Sequence, residues 1–181
     1  RSAWTTKVTG VTPTGFLLLK ECKNMTVPSF LDQTLFAGLA EKAAASPRGR
    51  QHHNFHQMEE ACHRMAVGLQ PNTYIPPHRH LGDNKAETLL VLKGRLGLLI
   101  FDESGVVVTK QVLVAGGDCV GVDLPTGVFH GLVVLEADSL MFECKAGPYR
   151  PVGEGELATW APREGEPGVA EYQAWMRAQF D

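Results

Sequence analysis

Short apolar segments separated by turn residues fill the middle of this chain and restrict the folds open to it. Glycine, proline or aspartate stands between most of these segments. The predicted extended segments are 65–69, 74–80, 88–92, 96–101, 106–110, 111–114, 118–122, 129–135 and 140–144. The stretch 102–105 has the composition of a hairpin turn, the connection that joins neighbouring antiparallel strands. Many short strands of this kind predict an all-β sandwich or barrel.

A helix is predicted on each side of the strand region. Ser29 can cap the first helix, with Asp32 at the third helical position. Pro47 ends it, because the residue before proline avoids helical geometry. The apolar positions at helical spacing within 30–45 are Leu31, Leu35, Leu39 and Ala43. A second helix is predicted over 169–180, with a docking face made of Tyr172, Trp175, Met176 and Phe180.

A chain of 181 residues is long enough for one domain with a buried core. Residues 1–24 do not share the pattern of the rest, and Met25 is a plausible alternative start, so we interpret 1–24 as a leader or arm to which no function is assigned. We predict a single domain over 25–181, with a jelly roll at about 62–145 and a linker at 48–60 before it.

Composition and charge exclude several classes of function. A net charge of -3 and scattered basic residues argue against nucleic acid or an anionic membrane as a partner. No apolar stretch reaches the length that spans a bilayer. The four cysteines lie far apart and form no CxxC pair, which favours reduced thiols in the cytoplasm over a disulfide framework or a zinc ribbon. They are Cys22, Cys62, Cys119 and Cys144.

Three histidines and one glutamate are spaced as metal ligands. His78 and His80 are two residues apart, so on an extended strand both side chains point to the same side. Glu87 stands at the start of the next strand, and the turn at 125–130 brings His130 to the start of a later strand. Imidazole and carboxylate together suit one divalent Fe, Mn, Ni, Zn or Cu ion. The alternatives are metal-free core or solvated histidines and, for Glu87, a surface carboxylate on a hairpin.

These residues resemble the two cupin signatures, G-x5-HxH-x3,4-E-x6-G and G-x5-PxGxxH-x3-N. The chain matches them at His78, His80, Glu87, Gly94, Pro125, Gly127 and His130. It departs from them at Asn72, Cys119 and Val134, and in the longer gap 81–86. The resemblance implies a jelly roll, the cupin double-stranded β-helix, with the metal inside the barrel near one mouth. Proteins of this fold carry out many unrelated functions, so the substrate is not implied.

A wider set of residues resembles the WbuC-type cupin metalloproteins, which are found in bacterial surface-polysaccharide gene clusters among other places. The likeness extends over about 25–164 and rests on Arg48, Arg50, Asn54, His56, Phe101, Asp102, Glu143, 147–149 and 158–162. It implies that Arg48, Asn54 and His56 line the mouth of the barrel.

Three residues outside the ligand set are candidates for catalysis. Glu143 follows Met141 by two positions and is expected to face inward with it, as a general base or as a group that orients a histidine. Arg64 has two open interpretations: it holds an anionic group in the cavity, or it pairs with a nearby carboxylate. His56 is the third candidate, although we interpret the histidines of 52–63 as part of a solvated linker more readily than as a second metal site.

Two classes of function stay open. In the first, the chain is an enzyme whose metal acts as a Lewis acid or O2 site on a small polar substrate, such as a sugar, a nucleotide sugar or a sugar acid, through isomerisation, epimerisation or dioxygenation. In the second, the pocket senses a small ligand without turning it over. Ionisable groups near the site favour the enzyme.

Tyr149 and Trp160 are interpreted as packing residues or as a sugar-stacking rim. A homodimer paired through sheet edges is expected.

Overall fold

The structure is a computed structural model that describes residues 28–82 and 84–181. The predictions for residues 1–24 and Met25 lie outside the described residues. The described part contains helix α1 (Gln33–Ala45), strands β1 (Arg50–Asn54), β2 (Cys62–Leu69), β3 (Glu87–Lys93), β4 (Arg95–Phe101), β5 (Val107–Val114), β6 (Gly121–Leu124), β7 (Phe129–Val134) and β8 (Ser139–Ala146), and helix α2 (Val169–Ala178).

The strands form two sheets whose neighbours are mostly not consecutive in the chain. One sheet has the order β1-β2-β8-β3-β6 and the other the order β5-β4-β7, and every pair is antiparallel. This arrangement is the double-stranded β-helix, or jelly roll, of the cupin fold. With α1 and α2 on its flanks, it confirms the predicted fold class. Neither helix has the length and apolarity needed to cross a membrane.

Helix α1 begins later than the sequence predicts. Its N-cap is Asp32, whose Oδ1 accepts a hydrogen bond of 2.9 Å from the backbone N–H of Leu35. Asp32 therefore caps the helix in place of the predicted Ser29, and the helix covers 33–45 and not 30–45. Its end at Ser46, one residue before Pro47, is as predicted.

The strand predictions are wrong at four points, one of which is the segment 118–122, because β6 covers Gly121–Leu124. The predicted linker 48–60 contains strand β1. This strand was missed because its sequence is polar and shows no alternation of apolar and polar residues. The segment 74–80 is not a strand, and only His78 forms an isolated bridge, with His130 and with Leu157. The segments 106–110 and 111–114 are one continuous strand, β5.

Apolar side chains fill three layers of contact. The space between the two sheets holds Val67, Leu69, Leu89, Leu96, Leu98 and Met141 with their neighbours. Helix α1 covers the outer face of the five-stranded sheet, and Gly68 permits this, because a Cβ there would lie 2.7 Å from the backbone oxygen of Leu39. The C-terminal segment covers the outer face of the three-stranded sheet through Trp160, Met176 and Phe180.

Two glycines of the cupin signatures have a structural reason. Gly94 has φ 77 and Gly127 has φ 88, both in the left-handed region that side-chain-bearing residues rarely adopt. At Gly94 a Cβ would also lie 2.3 Å from the Oγ of Ser139. These turns fix where β4 starts and where the chain delivers His130.

Candidate metal centre

Backbone hydrogen bonds join the two histidine segments directly. The N–H of His78 donates to the carbonyl of His130 at 3.0 Å, and the N–H of His130 donates back at 2.9 Å. The N–H of Gly127 donates to the carbonyl of His80 at 2.9 Å. Glu87 opens β3 opposite Lys145 of β8. The fold therefore holds all four predicted ligands at one place, although His78 and His80 lie outside any regular strand.

The four side chains converge closely. One ligand atom from each of His78, His80, Glu87 and His130 lies within 4.8 Å of the others, and together they form a group that could hold a metal ion. The Nε2 atom of His130 is 2.8 Å from Oε1 of Glu87, and the Nε2 atom of His80 is 3.3 Å from Oε2. Two ligands bound at right angles about 2.1 Å from a metal are about 3 Å apart, so these separations suit a shared ion.

Hydrogen bonds orient two of the rings. The Nδ1 atoms of His78 and His130 each lie 3.0 Å from a backbone carbonyl, of Pro76 and Val128 respectively, which leaves Nε2 of each ring as the ligand atom. The Nε2 atom of His80 is buried and makes no hydrogen bond, even with the nearby glutamate. A buried nitrogen without a partner costs free energy unless something binds it, so the donor set fits a metal ion.

Burial and neighbouring charges set the protonation of the cluster. Burial, together with the nearby His130, lowers the pKa of His78 to about 3, so its imidazole is neutral at physiological pH. Burial alone raises the pKa of Glu87, but contacts from His130 and His80 and the charge of Lys145 outweigh it and hold that pKa below its ordinary value. The cluster thus presents a neutral imidazole and an ionised carboxylate, the forms that bind metals.

A cavity of about 380 Å³ opens onto this cluster. Its walls include His78, Glu87 and His130, the apolar Ile75, Leu89, Leu132, Met141 and Val152, and the polar Arg48, Arg50, His52, Glu143, Lys145 and Tyr149. Sheet register explains the lining, since Met65 pairs with Glu143 and Val67 with both His52 and Met141, so all of these face inward.

Lys145 is a cavity residue that the sequence predictions missed. Its Nζ lies 2.5 Å from Oε1 of Glu143, in an ion pair outside hydrogen-bond geometry, and 3.8 Å from Oε2 of Glu87. Burial lowers the pKa of Lys145, but these two carboxylates outweigh it and hold the pKa above its ordinary value. Alternation from Met141 through Glu143 to Lys145 was the available signal. Glu143 itself faces the cavity, as expected from that alternation.

Two arginines share one carboxylate at the cavity wall. Glu164 accepts hydrogen bonds from Nε and Nη2 of Arg48, at 2.9 and 2.6 Å, and from Nη2 of Arg50 at 2.8 Å. Arg50 is nearly buried and also donates to the carbonyl of Tyr74 at 3.0 Å. Hydrogen bonds from Arg48, opposed by burial and aided by Arg50, lower the pKa of Glu164 to about 2.

Arg64 and His56 do not line the cavity. Arg64 pairs with Glu60 at 2.6 Å and stands opposite Cys144, on the face of β2 that points away from the cavity. The prediction that Arg64 reaches the cavity is therefore wrong, and the open alternative, a nearby carboxylate, is what the structure shows. Nδ1 of His56 accepts from the backbone N–H of Arg64 at 2.9 Å, and its ring stacks on His63 at 4.0 Å.

Two further predictions concern the histidines of 52–63 and the aromatic residues Tyr149 and Trp160. Both His56 and His63 are buried, so the interpretation of this stretch as a solvated linker is wrong for them. Neither belongs to a possible metal-binding group in the described part of the chain. Trp160 packs against Phe101 and Phe129, at ring distances of 4.9 and 5.9 Å, whereas Tyr149 is exposed at the cavity rim.

Comparisons with known proteins give likeness at the level of fold. A family model described as a domain of unknown function (DUF6016) matches residues 31–113. No curated protein matches the chain at a significant level. Among solved structures, KdgF from Halomonas sp. is 22% identical with a TM-score of 0.45, over 58% of this chain and 84% of that one.

Two further solved structures show similar values. An RmlC-like cupin with a double-stranded β-helix fold from Methanocaldococcus jannaschii is 19% identical, with a TM-score of 0.42, over 56% of this chain and 83% of that one. Bacillus subtilis oxalate decarboxylase, in a structure concerned with its Mn(II) centers, is 18% identical, with a TM-score of 0.42, over 56% and 26%. By its own strand topology the chain has a cupin fold, and it carries three histidines and a glutamate that could hold a metal ion.

Proposed function

We propose that the chain binds one divalent transition metal through His78, His80, Glu87 and His130 and uses it to act on a small oxygen-rich anion in the adjoining cavity. The observation that supports this most directly is the buried Nε2 of His80, which has no hydrogen-bond partner and points at the same place as three other ligand atoms. Without a metal ion, the interaction open to that nitrogen is the 3.3 Å contact with Oε2 of Glu87, which lacks hydrogen-bond geometry.

The charge of the cavity favours an anionic ligand. Three cationic side chains, Arg48, Arg50 and Lys145, are matched by three carboxylates, of Glu87, Glu143 and Glu164. With neutral imidazole ligands, a divalent ion leaves the site with two unbalanced positive charges. A ligand carrying one or two carboxylates would restore the balance in a site partly shielded from water.

Lys145 is the cation best suited to meet this ligand. Its ammonium lies between the carboxylates of Glu87 and Glu143, and metal binding by Glu87 would withdraw one of these partners from it. A ligand carboxylate bound at the metal can take the place of that partner. Arg50, already held by Glu164 and a backbone carbonyl, acts instead as a fixed wall of the cavity.

The charge of the cavity favours sugar acids as the ligand class, and the sequence resemblance to WbuC-type cupins favours a role in surface-polysaccharide synthesis. A bound metal supplies Lewis-acid polarisation of the ligand oxygens. Glu143, buried at the cavity and paired with Lys145, is then the residue that accepts a proton from the substrate in an isomerisation or epimerisation. Because this carboxylate is ion-paired, a binding function without turnover is the second candidate.

A homodimer in the cytoplasm completes the proposal. Leu90 and Val120 leave an apolar surface near the β6 edge of the five-stranded sheet, with 39% and 43% of their areas exposed, and a second copy would cover it. Light scattering at tens of micromolar tests this, and a monomer mass would contradict it.

Metal analysis of the purified chain tests the central claim. We expect about one transition metal per chain, lost in the double variant His78→Ala/His130→Ala and retained in the matched double variant His56→Ala/His63→Ala. Stoichiometric metal in the first variant would contradict the site. Turnover of sugar acids by the loaded protein, absent in Glu143→Gln with ligand binding retained, separates the enzyme from the binding protein.

A further inference from the structure

We propose that Cys62 and Cys144 are a reversible oxidation site, which forms a disulfide when a peroxide reaches the chain. The pair lies on the five-stranded sheet, on the face opposite the cavity. This proposal is independent of the metal function, because neither sulfur takes part in the ligand cluster.

The two sulfur atoms already touch. The Sγ atoms of Cys62 and Cys144 are 3.7 Å apart on the neighbouring strands β2 and β8. A disulfide requires about 2.05 Å, so the two sulfur atoms must approach by about 1.7 Å. The register of the two strands is fixed without interruption from Cys62 opposite Ala146 to Leu69 opposite Ser139. Cys62 pairs with Ala146 and Cys144 with Arg64, so the two cysteines are diagonal neighbours, and the end of β2 must shift toward β8 as the side chains rotate.

The surroundings assign different tasks to the two thiols. Cys62 is exposed and accessible to an oxidant, whereas Cys144 is partly buried. Arg64 is the cross-strand partner of Cys144, its Nε donates to the carbonyl of Cys62 at 3.4 Å, and Glu60 holds its other end. A guanidinium beside a thiol favours the thiolate, which is the nucleophile. Burial and the contact with Cys62 raise the pKa of Cys144, an effect that Arg64 partly offsets. Cys62 attacks first because it is the exposed thiol of the pair.

The chemistry balances with a peroxide as the only co-reactant. The Cys62 thiolate attacks one peroxide oxygen, the O–O bond breaks, and hydroxide leaves, which gives a sulfenic acid at Cys62. The Cys144 sulfur then attacks the Cys62 sulfur, the S–S bond forms, the S–O bond breaks, and the departing hydroxide takes up the thiol proton as water. Two thiols lose two electrons and hydrogen peroxide is reduced to two waters. A dithiol reductant reverses the reaction.

The test is controlled oxidation of the full chain. Chelator-treated protein is supplied with Zn²⁺, which undergoes no redox reaction, and is then exposed to hydrogen peroxide. We expect two of the four thiols to disappear and the intact mass to fall by about 2 Da, with recovery in dithiothreitol. Digestion after glutamate then identifies the linked peptides, because Glu136 and Glu143 lie between Cys119 and Cys144.

Two variants provide matched controls. Cys119→Ser removes a partly buried thiol whose sulfur contacts the carbonyl of Gly121 at 3.5 Å, and it is expected to leave the Cys62–Cys144 link unchanged. Cys144→Ser removes the resolving thiol, so a sulfenic acid trapped at Cys62 should rise at least about tenfold over the wild type. Equal trapping in the two proteins would overturn the proposal. A link that joins other cysteines, or thiols that stay reduced at a peroxide dose that oxidises free glutathione, would also overturn it.

Discussion

Replacement of Glu87 by glutamine separates a metal ligand from a structural ion pair. Glu87 is 3% exposed, and its oxygens lie 2.8 Å from His130 and 3.3 Å from His80. Glutamine keeps the shape but loses the charge. We expect metal affinity to fall at least about 100-fold, since even removal of an outer partner of a metal ligand costs about 10–100-fold.

The expected change in stability follows from linkage. At a free metal concentration of 100 times the wild-type Kd, binding stabilises the folded chain by about 2.7 kcal/mol. If the Kd of Glu87→Gln is 100-fold higher, the same concentration supplies only about 0.4 kcal/mol. The metal-dependent rise in Tm should then be smaller by about 5–9 °C, at roughly 2–4 °C per kcal/mol for a chain of this size.

Scanning calorimetry with and without Zn²⁺ measures this difference within each variant. The comparison cancels any loss that Glu87→Gln causes in the metal-free protein, where the glutamate also contacts Lys145. Glu143→Gln is the matched control, because that residue is buried at the same cavity and pairs with the same lysine but lies outside the ligand group. A full metal-dependent rise in Glu87→Gln would refute the assignment of Glu87 as a ligand.

Three further predictions concern the cavity and the packing around it. Lys145→Met should weaken the binding of sugar acids to the metal-loaded chain by about 1.5–3 kcal/mol in calorimetry, the scale of a hydrogen bond to a charged group, whereas Lys85→Met should not; equal affinities would contradict the role of Lys145. The pKa of Glu164 is lowered to about 2, so its ion pairs stabilise the fold above pH 4.5, its ordinary pKa, and that stability is lost as pH falls toward 2. Because Glu164 is one-third exposed, we expect about 1 kcal/mol between wild type and Glu164→Gln at pH 6, shrinking to nothing near pH 2 in urea unfolding, and a constant difference would contradict this. Gly68→Ala should cost about 1–3 kcal/mol, because its Cβ would meet the backbone of α1, whereas Gly38→Ala, with open space around it, should stabilise the helix by about 0.5–1 kcal/mol; equal effects in denaturant unfolding would refute this packing.

Local spacing predicted the cluster of three histidines and a glutamate and an all-β sandwich or barrel, and the cupin resemblance narrowed the fold class to a jelly roll. His78 and His80 lie in one short segment, and His130 directly follows a short turn, so the local sequence was sufficient to identify them. The turns at Gly94 and Gly127 each depend on the glycine that stands there. The bridge between His78 and His130 was outside the reach of such reasoning, because it joins segments 52 positions apart through their backbones. It is this bridge, and not a strand, that holds the histidine pair in place.

The misplacement of Arg64 has a simple geometric cause. Met65 and Val67 face the core, so Arg64, of opposite parity on the same strand, must face away from it. In a two-sheet fold the metal cavity and the apolar core share one face of each sheet. A residue of opposite parity to the core cannot reach the site, however small its neighbours are. Parity alone was therefore sufficient to choose between the two interpretations of Arg64.

Three polar residues of the cavity, Arg50, His52 and Lys145, were missed for a different reason. Strand β1 reads as a polar linker because its inward positions, Arg50 and His52, line the cavity and its outward ones meet water or the start of α1. Periodicity in apolar residues detects only strands whose inward face is apolar. Strand β8 shows the transition within one element, since it changes from Met141 in the core to Glu143 and Lys145 at the cavity. Charged residues at the inward parity of a strand thus mark the point where a jelly-roll core gives way to its binding site.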